Sequence, residues 1–180
     1  MKRLAALALA LAALPALASC GLRPLYGSGT QGTVARAIGS VQVDAIEGKA
    51  GWLVTNALNE RLAAISGGEG PSYRLHVELD DQITGFGVRA GDTVSRERRT
   101  LRARYQLFDG ATGALVMDAT AGSDAGLDVA SSEFATIAAE DTALERLSEI
   151  VADQIVMRMA QKLANEQAAS SAPAPQATTP

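Results

Sequence analysis

Six of the chain's 16 basic residues fall in one short stretch: Arg89, Arg96, Arg98, Arg99, Arg102 and Arg104. All six are arginine. The guanidinium fork matches phosphate and carboxylate oxygens two at a time, so the chemistry on offer is anion recognition. On an extended strand, alternate residues share a face. Arg96, Arg98, Arg102 and Arg104 then lie together with Thr100 between them, while Leu101, Ala103, Tyr105 and Leu107 face the other way and can enter a core. Two readings of this candidate site stand side by side. The stripe binds an external anion, or it pairs across strands with Glu78, Asp80 and Asp118, and both can hold in part.

Other chemistry is thinly supplied. His76 shares a strand face with Glu78, which could make a general base, but solvated strand histidines are commoner. Asp80-Asp81 lacks the spaced oxygen ligands of a calcium loop. Gly85-Phe86-Gly87 is followed by no Gly-Lys-Ser/Thr, so it is not a phosphate loop. Neither a GxSxG elbow nor an SxxK motif occurs. With one cysteine and one histidine, intramolecular disulfides, cysteine zinc cages and two-histidine metal sites are excluded. The expectation is a non-enzymatic protein with no catalytic residue, metal or diffusible cofactor. A net charge of −4 and 4% aromatic residues also argue against nucleic acid as a partner.

The lone cysteine has its own chemistry. Lys2 and Arg3 precede an apolar run, Leu4 to Leu14, that Pro15 breaks. The run is too short to span a bilayer but suits a signal peptide. Leu17-Ala18-Ser19-Cys20 then resembles a bacterial lipobox. Residues 1–19 are expected to be removed as a lipoprotein signal peptide. Cys20 would become the first residue and carry a covalent diacylglycerol and an N-acyl chain, enough to hold a protein on a membrane. Gly21, where aspartate would favour retention in the inner membrane, points to the periplasmic face of the outer membrane. An anionic partner there is a phosphorylated glycolipid or the acidic lumen of a membrane barrel.

The elements that would position these groups follow from periodicity. Residues 20–37 read as a lipidated tether rich in Gly, Ser and Thr. Val41 to Ile46 alternates as a first strand, with Gly48 and Gly51 in the turn after it. Val54, Leu58, Leu62 and Ile65 mark a helix from about Ala50. Tyr73, Leu75, Val77 and Leu79 alternate with polar residues in a second strand, and Gly85-Phe86-Gly87 suggests a bend. A third strand spans about Thr93 to Phe108. Asp109-Gly110-Ala111-Thr112-Gly113 is a hairpin turn, and Ala114 to Ala121 returns from it. Gly122 to Ala130 reads as a loop. Ser131 or Ser132 caps a long helix whose apolar face includes Phe134, Ile137, Leu144, Leu147, Val151, Ile155 and Met159, ending near Ala164. Residues 165–180 read as a disordered tail. The order β-α-β-β-β-α over residues 38–164 predicts an α+β two-layer sandwich: a four-stranded sheet with two helices on one face.

The start Cys20-Gly21-Leu22-Arg23-Pro24-Leu25-Tyr26-Gly27 resembles the C-G-[FW]-x-[PL]-L-Y-G opening of lipopolysaccharide-assembly lipoproteins of the LptE family, alphaproteobacterial ones above all. Asn56 to Leu62 is similar to the family's N-x-L-x-x-x-L first helix, Tyr73 to Leu79 to its Y-x-L-x-V-x-[LV] strand, and Ser132 to Ala135 to the S-x-[YF]-A before its last helix. Leu22 departs from the usual aromatic, and the uncharged tail is unlike the family. The resemblance implies a sandwich that plugs the lumen of the outer-membrane barrel LptD, helps it fold and serves lipopolysaccharide delivery to the outer leaflet. It leaves direct lipopolysaccharide binding open, and it assigns no contact residues. The alternatives are a lipoprotein pilot or chaperone for another outer-membrane complex and, remotely, a lipid-anchored hydrolase.

Overall fold

The computed structural model describes residues 40–65, 72–89, 93–129 and 132–171. The expected signal peptide, Cys20 and the tether to residue 37 lie outside the described residues. The elements are β1 (Ser40–Val43), α1 (Gly48–Ile65), β2 (Ser72–Arg89), β3 (Thr93–Asp109), β4 (Leu115–Asp128) and α2 (Glu133–Ser171). The sheet order is β1-β2-β3-β4, with β1 parallel to β2 and the other pairs antiparallel. This is the predicted α+β fold, with α1 as the crossover that a parallel pair requires.

Strand alternation decides which face is covered. Leu75 and Val77 of β2, Leu101, Ala103, Tyr105 and Leu107 of β3 and Ala121 of β4 are buried on the inner face. The helices lie over them. Val54, Ala57, Leu58 and Leu62 of α1 and Leu144, Leu147, Val151, Ile155, Met159 and Leu163 of α2 complete one core at helical spacing. Gly51 allows α1 to start close against the preceding chain, since a Cβ there would lie 2.4 Å from the Ile46 carbonyl oxygen. Arg61 bonds Asp153, and Lys49 pairs with Asp141 at 2.7 Å, which fastens α1 to α2.

The hairpin between β3 and β4 is built by Asp109. Its Oδ1 accepts bonds from the N–H groups of Ala111 and Thr112 and from the Thr112 hydroxyl. Gly113 takes the left-handed φ of 71° that closes the turn. The free edge of β4 is partly occupied by α2. The Gln154 amide donates to the Gly122 carbonyl and accepts from its N–H, and Arg158 bonds the Thr120 carbonyl. Such contacts blunt an edge that could pair with another chain.

Several boundaries differ from the sequence reading. β1 ends at Val43, and Gly48 and Gly51 belong to the first turn of α1 rather than to a turn before it. β2 runs through Gly85-Phe86-Gly87 to Arg89. β4 continues past Ala121 to Asp128, where a loop was expected. Its Gly, Ser and Ala residues look like a loop in isolation, but β3 supplies a ladder for them as far as Asp128. α2 extends beyond Ala164 to Ser171, into the stretch read as tail. Phe134 and Ile137, assigned to its apolar face, are 87% and 48% exposed because the helix starts beyond the covered part of the sheet.

Candidate functional site

Among the described residues no layer covers the outer sheet face. Arg96, Arg98, Arg102 and Arg104 are all exposed there, and the register sets Arg102 opposite Asp80 and Arg104 opposite Glu78. The ion pairs nevertheless run to the other neighbour, β4. Arg104 Nη2 lies 2.9 Å from Asp118, Arg102 Nη2 2.9 Å from Asp124, and Arg96 Nε 3.1 Å from Asp128. The first two are diagonal pairs: Arg104 faces Thr120 and Arg102 faces Gly122 directly. Gly122 makes this possible. A Cβ there would sit 2.5 Å from the Arg102 Cδ, so only glycine lets the side chain lie flat and also reach the Ser123 carbonyl at 3.0 Å.

These contacts hold Asp118 and Asp124 ionised. Asp118 is lowered from its ordinary pKa by hydrogen bonds from Arg104 and then Gln106. Asp124 is lowered by the Thr100 hydroxyl and then by Arg102. The Arg104 guanidinium is held further toward its charged form by Asp118.

Among the described residues of β2, β3 and β4, the outer face carries Arg74, Arg96, Arg98, Arg102 and Arg104 against Glu78, Asp80, Asp118, Asp124 and Asp128. The basic stripe is therefore flanked by two acidic columns, and the face is charge-balanced. Of the expected partners only Asp118 makes an ion pair with the stripe. Asp80 accepts from the Gln82 amide at 3.0 Å, and Glu78 lies 3.8 Å from His76 Nε2. Asp124 and Asp128 went unrecognised because they lie in the stretch read as a loop.

Arg98 differs from the rest of the stripe. Among the described residues it has no ion pair. Gly126 stands opposite it without a side chain, and its guanidinium lies 5.4 Å from the centre of the Phe86 ring. Phe86 is 41% exposed. Beside them a cleft of about 260 Å³ is lined by Phe86, Arg96, Gly126, Leu127 and Asp128. A guanidinium set over a ring face uses none of its N–H groups in that contact, which leaves them for an incoming anion.

Arg99 points inward. It is buried, donates to both Asp81 oxygens at 2.9 and 2.6 Å, and donates to the Glu140 carbonyl at 2.9 Å. Asp80 and Asp81 consequently face opposite sides of the sheet and cannot share a cation. His76 Nδ1 lies 3.4 Å from Asp44. Among the described residues no group of three or more His, Cys, Asp or Glu could hold a metal ion, and no helix is long and apolar enough to cross a membrane. Ser132 immediately precedes α2, where its carbonyl accepts from the N–H groups of Ala135 and Thr136.

Comparison with known proteins extends this geometry. The chain is similar in structure to a lipoprotein of Caulobacter crescentus, with 28% identity and a TM-score of 0.60 over 76% of this chain and 98% of that one. Rare lipoprotein B of Shewanella oneidensis matches with 12% identity and a TM-score of 0.55, over 71% of this chain and 97% of that one. Lipoprotein B of Nitrosomonas europaea matches with 14% identity and a TM-score of 0.51, over 74% and 89% of the two chains. The last two similarities show the fold alone. A comparison with curated protein sequences gives no match. The LptE family model, described as lipopolysaccharide-assembly, matches residues 38–159, which takes in all six elements except the end of α2. The chain belongs to the LptE lipopolysaccharide-assembly family.

Proposed function

We propose that this protein is an outer-membrane lipoprotein anchored through acylated Cys20, which seats its domain inside an LptD-type barrel and so serves lipopolysaccharide delivery to the outer leaflet. The observation that carries the reading is the family match over the whole core domain. The lipobox ending at Cys20 supports the anchor. The outer sheet face supports the plug: it is open, wholly polar along β3 from Arg96 to Gln106, and charge-balanced in alternating columns. A barrel lumen is itself polar. Such a face pairs with it side chain by side chain without burying a large net charge. Arg98, with no ion pair among the described residues, has donors to spare for a lipid A phosphate or a wall carboxylate. Nothing in this role requires bond chemistry, and the protein acts by binding and shape.

The test is extraction from native membranes in mild detergent through a C-terminal tag. Stoichiometric recovery of a large LptD-type β-barrel is the expected result. Recovery of a different outer-membrane complex would instead make the protein a pilot or chaperone for that complex. Recovery of the lipoprotein alone, from extracts in which the barrel is shown to stay folded, would sink the plug reading.

A further inference from the structure

The outer face holds a second guanidinium stacked in the same manner, at the opposite end. Arg74 lies 5.6 Å from the centre of the Phe108 ring, and among the described residues it has no ion pair. The register puts Arg98 opposite Thr84, ten residues along β2 from Arg74. At about 3.3 Å per residue the two arginines stand roughly 33 Å apart, too far to hold one small ligand between them. Arg74 was not part of the stripe and lies outside the reading just given.

Its surroundings form a built cleft. Val41, Gln42, Ser72, Tyr73, Asp109 and Gly110 line a cavity of about 420 Å³ with it, inside the range of about 300–1,000 Å³ usual for ligand pockets. Gly110 keeps the floor open, since a Cβ there would stand 2.5 Å from the Ser72 hydroxyl. Gln42 is the β1 residue in register with Arg74. Neither the Gln42 amide nor the Ser72 hydroxyl has a side-chain hydrogen bond among the described residues, so both remain donors. The cleft lining carries one carboxylate: Asp109 Oδ1 accepts three hydrogen bonds from its own turn, and the Thr112 N–H and then the Thr112 hydroxyl lower its pKa and keep it ionised, so Arg74 must outweigh one negative charge.

We infer that this cleft is a phosphate site, with Arg74 as its anchoring cation and Gln42 and Ser72 as neutral donors. A carboxylate would be satisfied by the guanidinium fork and would leave the two neutral donors unused. The further oxygens of a phosphate group accept from them. The Phe108 ring face lies beside the guanidinium and favours its position next to the cleft. The site lies beside β1, the first strand after the stretch that leads from Cys20, so a phospholipid headgroup and free phosphate are both sources of that chemistry.

The test is calorimetric titration of the full chain in neutral maltoside micelles. The probes are dihexanoyl phosphatidic acid and, separately, inorganic phosphate. Saturable binding is expected, at least tenfold weaker in Arg74→Gln, partly restored in Arg74→Lys and unchanged in Arg146→Gln, a change at an exposed arginine of α2. Tighter binding of the lipid assigns the site to a headgroup, and equal binding assigns it to free phosphate; both uphold it. No saturable binding of either probe, equal affinity in Arg74→Gln, or an equal loss in Arg146→Gln overturns it. None of these results depends on whether a barrel co-purifies.

Discussion

Arg99 grips Asp81 through two parallel N–H···O bonds, and the same guanidinium reaches the Glu140 carbonyl on α2. One residue from the exposed Arg98, an arginine of the same stretch thus fastens β2, β3 and α2 together from the inside. Its pKa is raised by the hydrogen bond to Asp81. The arginine-rich stretch therefore does two jobs, divided by the pleat of the strand.

Arg99 is buried while Asp81 is exposed, so losing the arginine forfeits the paired hydrogen bonds without stranding a buried charge. Arg99→Leu is expected to cost about 1–2 kcal/mol, read as a lower urea midpoint at unchanged slope. A midpoint within error of the parent for Arg99→Leu would show that the pair contributes nothing.

Gly122 is expected to be intolerant for a steric reason. Gly122→Ala puts a Cβ 2.5 Å from the Arg102 side chain and 2.9 Å from the Leu101 carbonyl oxygen. Displacing a backbone atom on this scale costs roughly 1–3 kcal/mol. Gly126→Ala, where nothing lies within 4 Å, is expected to unfold like the parent. Equal thermal midpoints for the two variants would contradict the account of Arg102 lying across a bare backbone.

Acid is expected to act on stability with opposite sign at two sets of carboxyls. Asp109, Asp118 and Asp124 have folded-state pKa values below their ordinary 3.8. Their contribution is complete above the unfolded value and is lost as pH falls through the depressed ones. Glu140 is raised above its ordinary 4.5, by desolvation and then by Glu97, one of whose carboxylate oxygens is buried without a partner. A raised carboxyl favours folding below its unfolded value, and that contribution disappears as pH rises through the raised one. Glu140→Gln is thus expected to be more stable than the parent at neutral pH, with the gap closing toward pH 4. Urea titrations at several pH values would check it, and a gap that widened in acid would refute the assignment.

The third strand was legible because its alternation is complete: Leu101, Ala103, Tyr105 and Leu107 inward, arginines outward. The element order followed from period changes at Gly and Pro clusters. The second half of β4 was not legible. Gly122, Ser123, Ala125 and Gly126 carry no strand signal of their own and are held by pairing with β3, a long-range cause. Losing that half lost Asp124 and Asp128, and with them the fact that the stripe is neutralised. Phe86 was legible only as part of a bend, since its role depends on a cross-strand neighbour, Arg98. Arg74 lay outside any cluster in the sequence and became visible only when β3 placed Phe108 beside it.

Cys20→Ala removes the thiol that the proposed acyl chains need. The variant is expected to leave the membrane fraction while the parent stays in it through a high-salt wash, as each buried methylene contributes about 0.8 kcal/mol to anchoring. Retention of the variant on membranes stripped of barrel proteins would reject the lipid anchor.

Charge reversal separates the two arginine roles on the outer face. Arg102 is tied to Asp124 and to the Ser123 carbonyl, so Arg102→Glu breaks contacts within the sheet and sets two carboxylates together. It is expected to lower both stability and barrel recovery, which leaves cause and consequence mixed. Among the described residues Arg98 makes no ion pair, touching the Phe86 ring and pulling on Asp124 only through space, and Arg98→Glu is expected to change stability by less than about 1 kcal/mol. Its effect on function is then readable on a folded protein. If the outer face meets phosphates or wall carboxylates, Arg98→Glu lowers barrel co-purification or lipopolysaccharide capture several-fold, and Arg98→Lys keeps part of it. Barrel-bound and lipid-bound fractions measured on the same preparations tell the two apart: loss of the first alone places Arg98 at the wall, loss of the second alone places it at the glycolipid. If Arg98→Glu leaves both intact, the one stripe arginine without an ion pair among the described residues contacts neither, and the ion-paired rest of the stripe is a structural ladder that braces β3 against β4.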